Sequence, residues 1–416
     1  MSISLSAERG DRRRIAESTA FSIILALGFS HFLNDMMQSL LPALYPMLKG
    51  AYGLSFAQIG MITLTSQLIS SVLQPAVGMF ADRRPQPYSL AVGMSVTFIG
   101  LLLLASAGSY PMIVFAAALV GVGSAVFHPE ASRVARMASG GRHGLAQSLF
   151  QVGGNVGASL GPVLAAFIVI PRGQASVGWF SAAALLAMAV LFGVGNWYRR
   201  ERVAPPRSAR RYVAERPGLS RRRVAWSIAI LLAVIFSKSF YTTSLNSYYT
   251  FYLISRFDVS IETAQIYLFA FLASVAVGTL IGGPVGDRIG RKAVIWVSIV
   301  GVLPFTLVLP HANLFWTGIL TVVIGMTLAS ASSAIIVYAL ELVPGRIGMV
   351  AGLFFGLSFG MAGIGAAVLG RVADATSIDT VYQLCAFLPA IGLLTALLPD
   401  LGRPKPIAAT KLRAAG

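Results

Sequence analysis

The chain has 416 residues, 56% of them hydrophobic and only 11% charged, with 42 glycines and a formal net charge of +17. Ordinary soluble domains carry roughly a quarter charged residues, so this composition excludes a water-soluble enzyme and indicates a multi-pass membrane protein. The basicity is topological: 27 of the 32 Lys and Arg fall in 1–17, 81–87, 133–143, 199–223, 286–292, 343–347 and 400–416, the bias that marks cytoplasmic segments.

On that rule both termini are cytoplasmic. Nucleic-acid binding is not expected, because the Arg-rich stretch 199–223 has no aromatic platform or folded reader. Cys385 alone excludes an internal disulfide. The first apolar run is too long for a signal-peptide core and is followed by no cleavage site.

In chain order, apolar runs broken by charge or by Gly and Pro predict spans at 18–48, 56–80, 88–107, 111–132, 144–170, 176–198, 224–255, 261–285, 293–310, 312–342, 348–370 and 379–399. This is an all-α integral membrane fold of about twelve transmembrane helices. A cytoplasmic arm (1–17) precedes a six-helix bundle (18–198). A basic linker (199–223) then leads to a second bundle (224–399) and a cytoplasmic tail (400–416). The halves repeat: Gly78-x3-Asp82-Arg83 follows span two, and Gly283-x3-Asp287-Arg288-x2-Arg291-Lys292 follows span eight. At nearly the same offset Gly144 matches Gly348 and Gly161 matches Gly365. Parallel repetition of six spans is the arrangement of the major facilitator fold.

The Gly-x3-Asp-Arg-x-Gly-Arg-Lys loop resembles the signature loop of that superfamily, complete at Gly283–Lys292 and degraded in the first copy by Arg84-Pro85-Gln86-Pro87. Its logic is a gate. Asp82 or Asp287 can cap the positive end of a neighbouring helix, while Arg83, Arg288 and Arg291 pair with acids across the cytoplasmic mouth. A tight turn carrying topogenic charge is the simpler alternative. Glu341 and Arg346, closing span ten, read as gate or boundary charges. In span five, Gly153–Pro162 resembles the Gly-x3-Gly-Pro element of drug/proton antiporters. Gly161 permits close packing there and Pro162 a bend.

Polar side chains inside spans are costly and mark a path. Span one places His31, Asn34, Asp35 and Gln38 on one helical face; span two carries Thr63, Gln67, Ser70 and Gln74; span five carries Gln147, Gln151 and Asn155. Span seven sets Lys238, Tyr241, Thr242, Tyr249 and Tyr252 along another face. Asp35 is the only carboxylate near the middle of a span. It can load and release a proton, shared with His31, or it can form a permanent ion pair with Lys238. His128 and Glu130 lie about 200° apart on an ideal helix, so both reach the path only if Pro129 distorts it. Glu130 can carry a proton or pair with Arg133, three residues on.

His31-Phe32-Leu33-Asn34-Asp35, Phe56-Ala57-Gln58-Ile59-Gly60, the stretch Val126–Gly144 and Ser247-Tyr248-Tyr249-Thr250-Phe251-Tyr252 resemble the fosmidomycin-resistance efflux transporters of bacterial inner membranes, a likeness running from about Ser30 to Asp400. The resemblance implies a secondary transporter, not an enzyme. It implies proton-driven export of a small phosphonate hydroxamate, with the proton gradient in place of any cofactor or metal, by a monomer in the lipid bilayer. An anionic cargo needs cations, and Lys238, His31, His128 and Arg133 are available, with hydrogen bonds from Tyr241 and Tyr249. Proton symport or uniport of a native metabolite is the alternative, and a non-transporting receptor a further one.

Overall fold

Within the apolar layer every backbone N–H and C=O must be satisfied internally, and a helix does this within one segment. The computed structural model describes residues 20–84, 86–140, 143–201, 219–343 and 347–401, and every regular element among them is a helix. The side chains of Asp82, Arg83 and Asp287, and Arg346, lie outside the described residues, as do the arm 1–17, most of the linker and nearly all of the tail.

The first half comprises α1 (Phe21–Ala43), α2 (Phe56–Arg83), α3 (Ser89–Ala105), α4 (Tyr110–Ala138), α5 (His143–Leu164) and α6 (Ser181–Glu201). The second comprises α7 (Arg221–Phe257), α8 (Ile261–Ile289), α9 (Arg291–Val300), α10 (Leu314–Leu342), α11 (Ile347–Ala375) and α12 (Ile378–Cys385). Among the described residues, ten helical stretches are long and apolar enough to cross a membrane. The shorter apolar α3 and the 23-residue α1, diluted by its polar face, bring the spans to twelve.

Local chemistry sets the boundaries. Ser55, Ser220, Ser260, Asn313 and Ser377 each cap a helix start, accepting a backbone N–H three residues on. Several expected spans are interrupted. After Pro42 the first pauses at Leu44 and resumes as Tyr45–Tyr52. Beyond Pro162, α5 passes through a π turn at Ala165–Val169 before ending at Arg172. The ninth breaks at Gly301 ahead of Pro304, and the twelfth tightens to a 3-10 coil over Leu388–Leu397. Each interruption adjoins a proline, which lacks the N–H that continues the ladder.

Within each half, glycines let backbones touch. A Cβ at Gly153, Gly157 or Gly161 would lie 2.0 Å from an atom of α1, at Gly28, Phe32 and Ser39 respectively. Gly365, the repeat partner of Gly161, faces Phe240 of α7, the repeat partner of α1. Across the halves α2 lies antiparallel along α11, and α5 along α8. These two contacts enclose a cavity.

Candidate functional site

The cavity, about 240 Å3, is lined from the first half by Asp35, Gln38, Thr63, Gln67 and His128, and from the second by Thr243, Asn246, Ser247, Leu272 and Phe359. Its volume lies just below the usual range of ligand sites, about 300 to 1,000 Å3. Of the expected site residues, Asp35, Gln38, Gln67 and His128 line it directly. His31 and Asn34 are buried just behind Asp35, and Asn155 and Gln151 stand on α5, outside the lining.

Three side chains converge on Asp35. His31 sits one turn away with its Nε2 3.1 Å from Asp35 Oδ2, and His128 reaches across from α4 with its Nε2 3.6 Å from Oδ1. Asn34 Nδ2 donates to Oδ1 at 2.9 Å. Both imidazoles are held by their other nitrogen. His31 Nδ1 is 2.8 Å from Phe150 O, and its ring stacks on that of Phe150 at 4.0 Å. His128 Nδ1 is 3.0 Å from Ser124 O. A carbonyl oxygen only accepts, so each Nδ1 carries the hydrogen and each neutral ring presents a bare Nε2 to the carboxylate.

That arrangement has a chemical consequence. With both rings neutral and the acid ionised, lone pairs face a negative charge; one proton placed anywhere in the cluster turns repulsion into attraction. The carboxylate lies off the axis of His31 Nε2, which closes no aligned hydrogen bond, and the His128 contact is too long for one. Asp35 keeps 22% of its side chain exposed, toward the cavity. The ligand atoms of the three side chains lie within 4.8 Å of one another, room for one small cation, of which a proton is the simplest.

Gly154 makes the space. A Cβ there would sit 2.4 Å from the His31 ring and 2.7 Å from Asp35 Oδ2. It lies beside the Gly153-Gly157-Gly161 stripe, not on it, so helical spacing gives no cue to its role.

The alternative role for Asp35, an ion pair with Lys238, is not realised. Lys238 Nζ instead donates to Ser332 on α10, and among the described residues no carboxylate lies within ion-pair distance of it. Its helical face differs from the one that lines the cavity. Tyr241 and Tyr249 share the face of Lys238, are buried, and sit outside the lining; Tyr249 meets Thr321 of α10 at 3.0 Å. Thr243, Asn246 and Ser247, about 130° round the helix, take the cavity side. Bulky phenols fill the bundle interior, and short polar side chains leave room for solvent and cargo.

Glu130 and Arg133 also stand apart from the cavity. α4 runs through Pro129 without a break, so His128 and Glu130 keep to opposite faces. Glu130, 1% exposed, pairs with Arg133 at 3.3 Å, and Arg133 donates to Tyr198 of α6. At the arginine-rich end Arg291 pairs with Glu341 at 2.5 Å. This described pair joins α9 to α10 inside one half, where a bridge across the mouth was expected; Arg288 is exposed.

Twelve helices in two repeated halves around a polar inter-bundle cavity define a membrane transporter of the major facilitator kind. The Major Facilitator Superfamily model matches residues 27–276 and 240–414, and the chain belongs to that superfamily, as a transporter and not an enzyme. Within it the chain falls among the fosmidomycin-resistance transporters. It is 60% identical over 382 residues to the Fosmidomycin resistance protein of Escherichia coli (strain K12), covering 92% of this chain and 94% of that one. It is 41% identical over 385 residues to the uncharacterized MFS-type transporter YfnC of Bacillus subtilis (strain 168), covering 92% and 94%. A variant of the nucleoside transporter NupG shares the fold, with a TM-score of 0.71, 14% identity, and coverage of 92% of this chain and 100% of that one.

Proposed function

We propose that the protein is a proton-coupled antiporter that exports fosmidomycin-like small anionic drugs across the bacterial inner membrane by alternating access, as a monomer with both termini in the cytoplasm. The observation that carries the reading is the position of Asp35, open to the cavity between two imidazoles anchored through Nδ1. An ionisable group at mid-membrane depth is functional by default. The 60% identity to a protein named for fosmidomycin resistance supports a phosphonate hydroxamate as cargo.

Exchange requires that cargo and proton exclude one another, and one carboxylate suffices. Ionised Asp35 accepts a charge-assisted hydrogen bond from the hydroxamate O–H; protonated Asp35 offers only a weaker neutral acceptor, so a bound proton lowers the affinity for cargo and bound cargo lowers the affinity for the proton. His31 and His128 hold the acid in place and share its proton. The phosphonate is drawn, from behind the cavity wall, by the charge of Lys238, an ammonium whose described partner is the neutral Ser332. Gln38, whose Nε2 has no protein acceptor, supplies a donor from the cavity wall. No cofactor takes part; the proton gradient drives the cycle.

Transport into inverted membrane vesicles tests this. An acid interior should drive fosmidomycin accumulation, and a protonophore should abolish it. Equilibration insensitive to the protonophore would establish a uniporter instead. In intact cells, an uncoupler that lowers drug content would establish uptake by symport.

A further inference from the structure

We propose that Asp374 and the N-terminus of α2 form a latch between the halves, holding shut the mouth opposite the arginine-rich end and releasing in each transport cycle. The proposal rests on the alternating-access reading above and adds the element that sets its balance.

A helix start leaves orphan N–H groups. In α2 a capping box satisfies part of the set: Ser55 Oγ accepts from Gln58 N at 3.1 Å, and Gln58 Oε1 accepts from Ser55 N at 2.9 Å. The next two donors, Phe56 N and Ala57 N, reach neither group. Both donate to Asp374 of α11, to Oδ1 at 2.8 Å and Oδ2 at 2.7 Å. One carboxylate from the second half thus completes the cap of a helix in the first, bidentately and at the positive end of its dipole.

The surrounding backbone is fitted for contact. A Cβ at Gly60 would lie 2.4 Å from Ala366 O, and one at Gly370 would lie 2.3 Å from Phe56 O. Tyr248 of α7 donates to Ala366 O at 2.5 Å and approaches Phe56 O at 3.4 Å. On the neighbouring pair, Gln265 of α8 donates to Ala43 O of α1 at 2.6 Å. The Tyr248–Ala366 bond lies within the second half; the other contacts cross the halves, and all lie at the same end.

The antiparallel register gives the latch a counterpart. Phe56 meets Asp374, and farther along Ser71 donates to Gly356 O at 2.6 Å. Carried to the end of α2, this register sets Asp82 level with the start of α11 at Ile347. Each helix of the pair thus ends near an aspartate and starts level with the aspartate of the other. Rocking the halves exchanges one cap for the other. At the Asp374 end the second cross-half pair lacks this device: α8 carries its own acid, Glu262, in its first turn, and α5 ends on Arg172.

Asp374 is exposed, so water competes for its contacts. Losing a carboxylate at an exposed helix start should shift the open population by about two- to fivefold. The test uses spin labels at Ala51→Cys and Thr376→Cys, both exposed and on opposite halves, in a Cys385→Ser background in nanodiscs. Pulsed dipolar spectroscopy should show the longer distance enriched by that factor in the isosteric Asp374→Asn, with Glu262→Gln matching the parent. A parent whose distances move with pH or fosmidomycin, beside an Asp374→Asn protein with the parent's distribution, would overturn the latch alone. A parent with one fixed distance under all conditions would overturn alternating access and the latch together.

Discussion

On the N-terminal side the cavity wall carries an acid, an imidazole and two glutamines, Asp35, His128, Gln38 and Gln67. On the C-terminal side it carries two hydroxyls and an amide, Thr243, Ser247 and Asn246, with Leu268, Leu272 and Phe359. The same fold therefore holds different chemistry in its two repeats. Ionisable groups concentrate where three helices of one half meet. The lysine of the other half is turned toward α10, and its wall offers shape with few hydrogen-bonding groups. A proton needs a charged site of fixed geometry, whereas a cargo needs a surface that can be reached and left. On the proposed antiport cycle, one half supplies the switch and the other completes the container.

If the halves divide the work in this way, substitutions in each should fail differently. Gly154→Ala should have the largest effect. Its Cβ would strike both His31 and Asp35, and overpacking costs about 1–3 kcal/mol. Gradient-driven efflux should vanish and the thermal midpoint fall, while Gly50→Ala, where nothing lies within 4 Å, should change neither. Lys238→Ala should come next, raising the half-saturating fosmidomycin concentration about two- to tenfold, the loss of an attracting charge set behind the cavity wall, with the pH dependence of efflux kept. An unchanged half-saturation would remove Lys238 from the cargo path. The smallest effect on transport belongs to Glu130→Gln. Transport per folded molecule should stay near that of the parent, while thermal unfolding shows a loss of about 1–3 kcal/mol from a weakened buried ion pair.

Much of this was legible in the residues. Hydropathy and charge bias locate the spans because the bilayer admits so few backbone solutions. The stripe His31-Asn34-Asp35-Gln38 stands out because polar side chains are rare in such segments. In α7 the same logic picked the wrong face for the cavity. Lysine and tyrosine are the conspicuous polar residues there, yet they point into the bundle, while Thr243, Asn246 and Ser247 line the space. Serine and threonine can bond back to their own helix and so carry little signal of a path. The space made by Gly154 depends on how α5 leans on α1, and the contact between Phe56 and Asp374 joins residues 318 positions apart. Neither follows from a local pattern.

Asp35→Asn in proteoliposomes most directly separates proton coupling from cargo binding. A neutral amide cannot carry the proton but preserves the shape of the site. Its amide oxygen still accepts a hydrogen bond, more weakly than the carboxylate, so the substituted protein should still exchange labelled for unlabelled fosmidomycin across the membrane at a saturating drug concentration, and it should no longer accumulate the drug against its gradient when a pH difference is imposed. Uphill accumulation at the parent rate would contradict the assignment of Asp35 as the carrier of the coupling proton.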